Sequence, residues 1–311
     1  MIDETGTTGA ASRAAAQTPV DLDAIEGVAT AGAPRSPARN AWRRLRAHRL
    51  ALASLLLFLA IAVVAIFAPL LSGASPTAMA SLPLQPPGAA HLMGTDSLGR
   101  DLWARVAYGA RISLEVGLGS QLMAVAIGMA VGAGAGFYGG VVGALLMRAT
   151  DMMLSLPALL FALLLLALLG SSVQVVILAL GLSMWPAIAR IERGEVLQVM
   201  NQEYVEAAYA IGCSNLRVLR RHVLPNTLGP VAVQATFGVS QAIFAEAFLA
   251  FLGLGAQPPT PSWGRLLTEG YEYIRTSPHL VLFPALAISL TLLAINFIGD
   301  GLRDALDPHQ H

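Results

Sequence analysis

The sequence predicts an all-α integral membrane protein with six transmembrane helices. Three observations predict it. The 311-residue chain is 55% hydrophobic and only 12% charged, whereas about a quarter of the residues in soluble domains are charged. Its mean hydropathy is +0.64. Its apolar residues also fall into runs long enough, as helices, to cross a hydrocarbon core.

Taken in order, residues 1–40 are rich in Ala, Thr, Gly and Pro and poor in large apolar side chains. They cannot bury enough surface to offset the entropy of ordering, so a disordered tail is expected. Arg43, Arg44, Arg46 and Arg49 follow, and then an apolar run over residues 50–71. As a helix that run is about 33 Å long, enough for a first span. It begins too late and runs too long for a cleaved signal peptide. Five further spans are expected near residues 116–138, 154–169, 173–189, 231–253 and 280–298. The third and fourth are separated by little more than Gly170, Ser171 and Ser172, which predicts a helical hairpin. Gly128, Gly132, Gly134, Pro157 and Pro186 are tolerable in such helices, and the small residues of the second span permit close contact. The expected organisation is a tail at 1–40, a first span and outer interfacial segment at 41–111, and a five-span core at 112–308 with a loop at 190–228.

An even number of spans places both termini on one side, and with the N-terminus inside, fourteen arginines fall in the cytoplasm and five outside. That fits the positive-inside rule, with most of the margin supplied by the tail.

Composition also removes several chemistries. All 19 basic residues are arginine, so the chain cannot supply the lysine of a phosphate-binding P-loop or of a Schiff base. The single cysteine, Cys213, excludes an internal disulfide and any multi-cysteine metal site. His48, His91, His222, His279, His309 and His311 form no ligand pattern, and no catalytic constellation occurs. Neither catalytic nor metal-binding residues are expected, and a net charge of zero gives no reason to expect nucleic acid as a partner.

The most informative loop is "EYVEAAYAIGCSNLRVLRRHVLPN", residues 203–226. Asn201 is positioned to cap a short helix, Glu203 lies in its favourable first turn, and Gly212 can end it in a left-handed conformation. Ser214 can cap a second helix that Pro225 closes, with Leu216, Leu219 and Val223 on one face and Arg217, Arg220 and Arg221 on the others. Helix, sharp turn and amphipathic helix are therefore expected.

This stretch resembles the "EAA" loop of the membrane subunits of ATP-binding-cassette importers. Glu206, Ala207, Ala208, Gly212, Leu224 and Pro225 fall at the spacing of that motif, and His222 stands where an isoleucine is usual. Two further stretches are similar to permeases for dipeptides, oligopeptides, glutathione and nickel. One is "GTDSLGRDLWARVAYGARISLEVG" from Gly94, and the other is "EAFLAFLGLGAQPPTPSWGRLL" from Glu246. The resemblance covers most of residues 40–308 and is closest to the C subunit of a B and C permease pair.

The resemblance implies the type I ABC importer permease fold, with the loop as a coupling helix that docks on a separate ATPase. ATP and magnesium would then sit on one or two partner ATPase subunits, with no cofactor in this chain. It also implies a homologous second permease, an extracytoplasmic binding protein that delivers substrate, and a bacterial inner-membrane location with cytoplasmic termini. Dipeptides or oligopeptides are the expected cargo, with nickel or glutathione as alternatives. An ion-driven carrier is a rival, but internal repeats are absent and Glu246 is the sole carboxylate well inside an expected span. A membrane scaffold using the same loop for docking is another.

Single residues carry further expectations. Glu246 is a candidate for gating or the substrate path, with a structural or gating role favoured over direct substrate contact. Glu115 is expected in the interface before span two, Arg148 and Asp151 as a helix-end ion pair, and the stretch from Gly94 as an interfacial helix with Leu98, Leu102, Trp103 and Val106 toward lipid or protein and its arginines toward headgroups, serving either the substrate or simply packing of span one on the core.

Overall fold

A computed structural model describes residues 49–79 and 81–306. The expected disordered tail, Arg43, Arg44, Arg46 and the histidines at 309 and 311 lie outside the described residues. Helices account for most of the rest. Among the described residues no strand forms, only isolated bridges of Met79 with Arg100 and of Thr95 with Asp101.

The first span is α1 (Arg49–Ile66), continued after a one-residue break by α2 (Ala68–Leu71). An irregular segment follows to the N-terminus of α3 (Leu102–Tyr138). At 37 residues, α3 is about 55 Å long. The interfacial helix expected in the stretch from Gly94 is therefore no separate element: from Leu102 it is the first part of the second span. Asp101 caps α3 by accepting from the Ala104 amide at 2.8 Å. Glu115 lies inside α3, exposed on its surface, rather than in a preceding interface.

The third span departs further from expectation. It is a pair, α4 (Gly140–Leu154) and α5 (Ala158–Leu169), bent by 83°. Pro157 has no N–H to continue the ladder and disfavours helical geometry at Leu156, which breaks the run. The hairpin that follows is as expected. Gly170 takes a φ of +85°, Ser172 caps α6 (Val173–Met200), and Leu166 packs with Val176 and Leu180. Helix α6 extends eleven residues beyond the expected end of the fourth span.

A short α7 (Glu203–Ala210) and α8 (Asn215–Val218) lead through a π-helical turn (Leu219–Val223) into α9 (Leu224–Phe251). Helix α10 (Trp263–Tyr271) and the long α11 (His279–Leu306) are the last of the described elements. Among the described residues five helices are long and apolar enough to span a membrane, and the bent pair makes a sixth if it crosses as one span.

Helices α3 and α6 run parallel and share the closest packing. Gly128, Gly132 and Gly136, four residues apart on α3, face Ile188, Glu192 and Val196 on α6. A Cβ on Gly132 would come within 2.4 Å of the Ala189 carbonyl oxygen, so only glycine permits this approach. Gly134 faces Leu146 of α4 instead. Helix α9 packs antiparallel to α3, with Gly117 against Ile243, and α11 returns along α9 with Gly299 against Phe237. The bundle thus has an α7 end and an α10 end.

Candidate functional site

At the α7 end, two short helices are held by a compact apolar knot. Val205 and Ala208 of α7 are buried with Val218, Val223, Val196, Val199 and Ala133. Gly212 has a φ of +84°. The Cys213 amide donates to the Ala208 carbonyl at 3.0 Å and the Gly212 amide to the Tyr209 carbonyl at 2.9 Å. These two bonds close α7 as a Schellman motif, with half-buried Cys213 folding back toward the knot.

Around the knot the motif residues divide. Glu206, Ala207 and Gly212 are exposed, Ala208 points inward, Leu224 is half-buried and Pro225 is exposed at the foot of α9. Ile211 is 82% exposed and, with Tyr204 and Tyr209, adds apolar surface to the same tip. Ser214, Leu216, Arg217, Arg220, Arg221 and Pro225 line an open basic hollow of about 470 Å³ beside it.

Three local expectations are corrected here. Asn201 does not cap α7, because Gln202 takes that position without a side-chain bond. Pro225 does not end the second helix, since the chain stays helical from Asn215 to Phe251. Having no N–H for the Arg221 carbonyl, Pro225 follows a wider turn in which the Leu224 amide bonds to the Leu219 carbonyl. The buried face is consequently Val218 and Val223, five residues apart, while Leu216 is exposed.

The α10 end holds the densest charge cluster. Arg100 and Arg105, both buried, each pair with Asp96 and with Glu269. Arg265 joins them through Glu269 at 3.1 Å. Burial acts to raise the Glu269 pKa, but the hydrogen bond and charge of Arg105, then Arg265 and Arg100, outweigh it and hold the carboxyl below its ordinary value. These arginines therefore face protein carboxylates rather than headgroups. Nearby, the His91 ring bridges Ser81 and Asp101, each at 2.8 Å.

Glu246 lies at this same end, about 31 Å along α9 from Pro225 at the helical rise. It is buried and accepts from the Ser113 hydroxyl at 3.2 Å. That hydroxyl in turn accepts from the Trp263 amide at 3.3 Å, and the Trp263 indole donates to the Val106 carbonyl at 3.0 Å. Glu246 thus belongs to a junction of α3, α9 and α10. Mid-bundle, a separate hollow of about 340 Å³ carries Ser183, Ser240, Gln241 and Asn296 among apolar neighbours. Asp151 pairs with Arg190 at 2.6 Å, not with Arg148. No group of metal ligands occurs among the described residues.

A sequence profile for the binding-protein-dependent transport system inner membrane component matches residues 124–311. The chain belongs to this permease family. The profile for the N-terminal transmembrane domain of oligopeptide transport permease C matches residues 36–87 of the permease. It is 46% identical over 274 residues to the dipeptide transport system permease protein DppC of Bacillus subtilis strain 168, covering 87% of this chain and 85% of that protein. The DppC of Alkalihalophilus pseudofirmus is 43% identical, with 88% and 90% covered. The glutathione transport system permease protein GsiD of Escherichia coli O6:K15:H31 is 42% identical, with 88% and 91% covered. The fold matches a chain of the inward-facing MetNI methionine ABC transporter with a TM-score of 0.54 at 19% identity, over 66% of this chain and 97% of that one. The expected ABC importer permease fold is thereby found, in a non-catalytic membrane subunit.

Sequence reasoning missed one buried acid in this permease. Glu192 falls within the expected loop at 190–228, yet it is fully buried on α6 and accepts from the Thr227 hydroxyl of α9 at 3.0 Å. The signal lay in Ile188, Glu192, Val196 and Val199, whose helical spacing continues the buried face of the fourth span past its apolar run.

Proposed function

We propose that this permease forms half of the path of an ATP-driven importer of dipeptides or oligopeptides, and that α7, Gly212 and α8 are its docking point for the ATPase. The observation that carries the docking reading is the exposed tip itself: Glu206, Ala207, Gly212 and Ile211 stand outward on a segment whose inward side is fixed by a buried knot. An exposed apolar and acidic tip on a rigid base is suited to protein contact rather than to lipid. Two six-span permeases, one or two ATPases carrying ATP and magnesium, and an extracytoplasmic binding protein complete the machine. Both termini and the α7 end face the cytoplasm, as the arginine distribution favours. The unit at 112–308 supplies the path and the segment at 41–111 braces it. Glu246 braces the α10 end as a gating support.

Peptide cargo is supported by the dipeptide permeases among the relatives, and the glutathione permease keeps a tripeptide in view as a second cargo. The test is gentle purification of the tagged protein from native membranes, followed by ATP hydrolysis assays with added dipeptide, oligopeptide or glutathione. Co-purifying ATPases with cargo-stimulated hydrolysis support the reading. A lone protein, under conditions that keep other membrane complexes whole, overturns it. Gly212→Val and Glu206→Arg are expected to abolish uptake with the fold retained, and unchanged uptake would remove the docking assignment.

A further inference from the structure

We propose that Glu192 is a positioning residue that clamps the two limbs of the α7–α8 tip together, so that displacement of the tip moves α6 and α9 as one. The inference rests on the docking reading above.

The tip is held by two limbs. One is α6, which reaches α7 through only Asn201 and Gln202, and the other is α9, which continues α8 through the π turn. Below the tip the limbs meet mainly through Val196, Val199, Val218 and Val223. Such contacts are non-directional and resist sliding poorly. One directional contact ties the limbs: the Thr227 hydroxyl, which also lies 3.1 Å from the Leu224 carbonyl of its own helix, reaches Glu192 Oε1 at 3.0 Å, the sole side-chain hydrogen bond between α6 and α9 among the described residues. Thr227 sits two residues beyond Pro225, at the first turn of α9 and next to the π turn. The bond therefore lies where motion of α8 would enter the span.

The surroundings are built to hold this acid. Glu192 is 0% exposed, and a Cβ on Gly132 of α3 would come within 2.7 Å of the Glu192 Cβ. The third helix thus leaves a notch for the side chain. Its second oxygen, Oε2, is buried with no hydrogen-bond partner. A carboxylate so placed is a poor choice for stability alone, because an apolar residue would fill the notch without an unsatisfied oxygen. It is a good choice for an acceptor aimed at the Thr227 hydroxyl.

The test uses the assembled transporter in proteoliposomes, measuring dialanine uptake and ATP hydrolysis on the same preparation and the amount of intact complex. Thr227→Val keeps the shape and removes the donor. It is expected to lower dipeptide moved per ATP at least fivefold. Thr227→Ser and Glu192→Gln, which keep a hydroxyl and an acceptor respectively, are expected to stay within twofold of the parent ratio. A Thr227→Val ratio within twofold of the parent overturns the clamp. So does uptake that falls only in proportion to the intact complex, since the bond would then be a folding contact. Glu206→Arg on the exposed tip separates the two claims. If it leaves ATPase association intact, the docking reading fails, whereas lost association with a preserved Thr227→Val ratio removes the clamp alone.

Discussion

Arg105 is almost wholly buried and holds two carboxylates from opposite parts of the chain, Asp96 nine residues earlier and Glu269 on α10. Removing it leaves Asp96 and Glu269 to share Arg100, with Arg265 still on Glu269. Arg105→Met is expected to cost about 1–3 kcal/mol, read as a shift in the denaturant midpoint of the purified chain. Glu269 adds a pH dependence whose sign follows from its lowered pKa. A carboxyl depressed in the folded state contributes stability above its unfolded value of about 4.3 and loses it as pH falls through the lower folded value. Stability is therefore expected to hold from pH 7 to 5 and to fall below about pH 4, with Glu269→Gln weakening that acid-sensitive part of the profile. Thermal unfolding across that range checks it. At this scale the sequence displayed the charges but not their partners: arginines beside an apolar run read naturally as headgroup contacts, and only the folded chain brings Glu269 to them. Gly212 was legible because a helix stop needing positive φ has a local signature, whereas Ala208 facing inward depended on Val218 and Val223 lying behind it.

Among the elements, the glycine face of α3 offers a matched pair of substitutions. Gly132→Ala places a methyl 2.4 Å from the backbone oxygen of Ala189, which cannot withdraw, while the same change at Gly134 meets only Leu146 at 3.5 Å. A loss of about 1–3 kcal/mol is expected for the first and near-neutrality for the second, measured by equilibrium unfolding in mixed micelles. The π turn gives another prediction. Pro225→Ala restores an amide able to bond the Arg221 carbonyl, favouring a tighter turn that rotates Val218 out of the knot. Cys213, half-buried and the sole thiol of the chain, reports this directly: its rate of maleimide labelling is expected to rise several-fold in Pro225→Ala, and an unchanged rate would show that the turn does not depend on the proline. The bend at Pro157 and the π turn escaped sequence reasoning for a common reason. Apolar periodicity locates helices but does not register an interruption that leaves the surface equally apolar, and a five-residue repeat of buried positions matches no regular helical template.

For the molecule as a whole, many large apolar side chains face outward, including Leu122, Val141, Leu164 and Leu168. That is ordinary where the solvent is lipid. Five of the expected spans were readable for the same reason, since the bilayer sets a minimum length that composition must honour, whereas the third, expected at 154–169, is split between α4 and α5. Which helices touch was not readable, because lipid removes the contrast that marks a buried face in water. The chain is expected to transport nothing alone and to gain uptake only with a second permease and ATPase, which reconstitution with and without those partners checks. Reporter fusions at each terminus are expected to place both in the cytoplasm. The parallel pairing of α3 and α6 has a consequence for biogenesis. Gly132 meets Glu192, sixty residues later in the chain, so at about 5–20 residues per second α3 waits roughly three to twelve seconds for its mate. During that interval the bent α4–α5 pair must be turned and inserted while a bare glycine groove lies open to lipid or to an insertion factor. Synonymous codon changes that slow translation between 140 and 200 would lengthen this vulnerable window without altering a single atom of the finished protein.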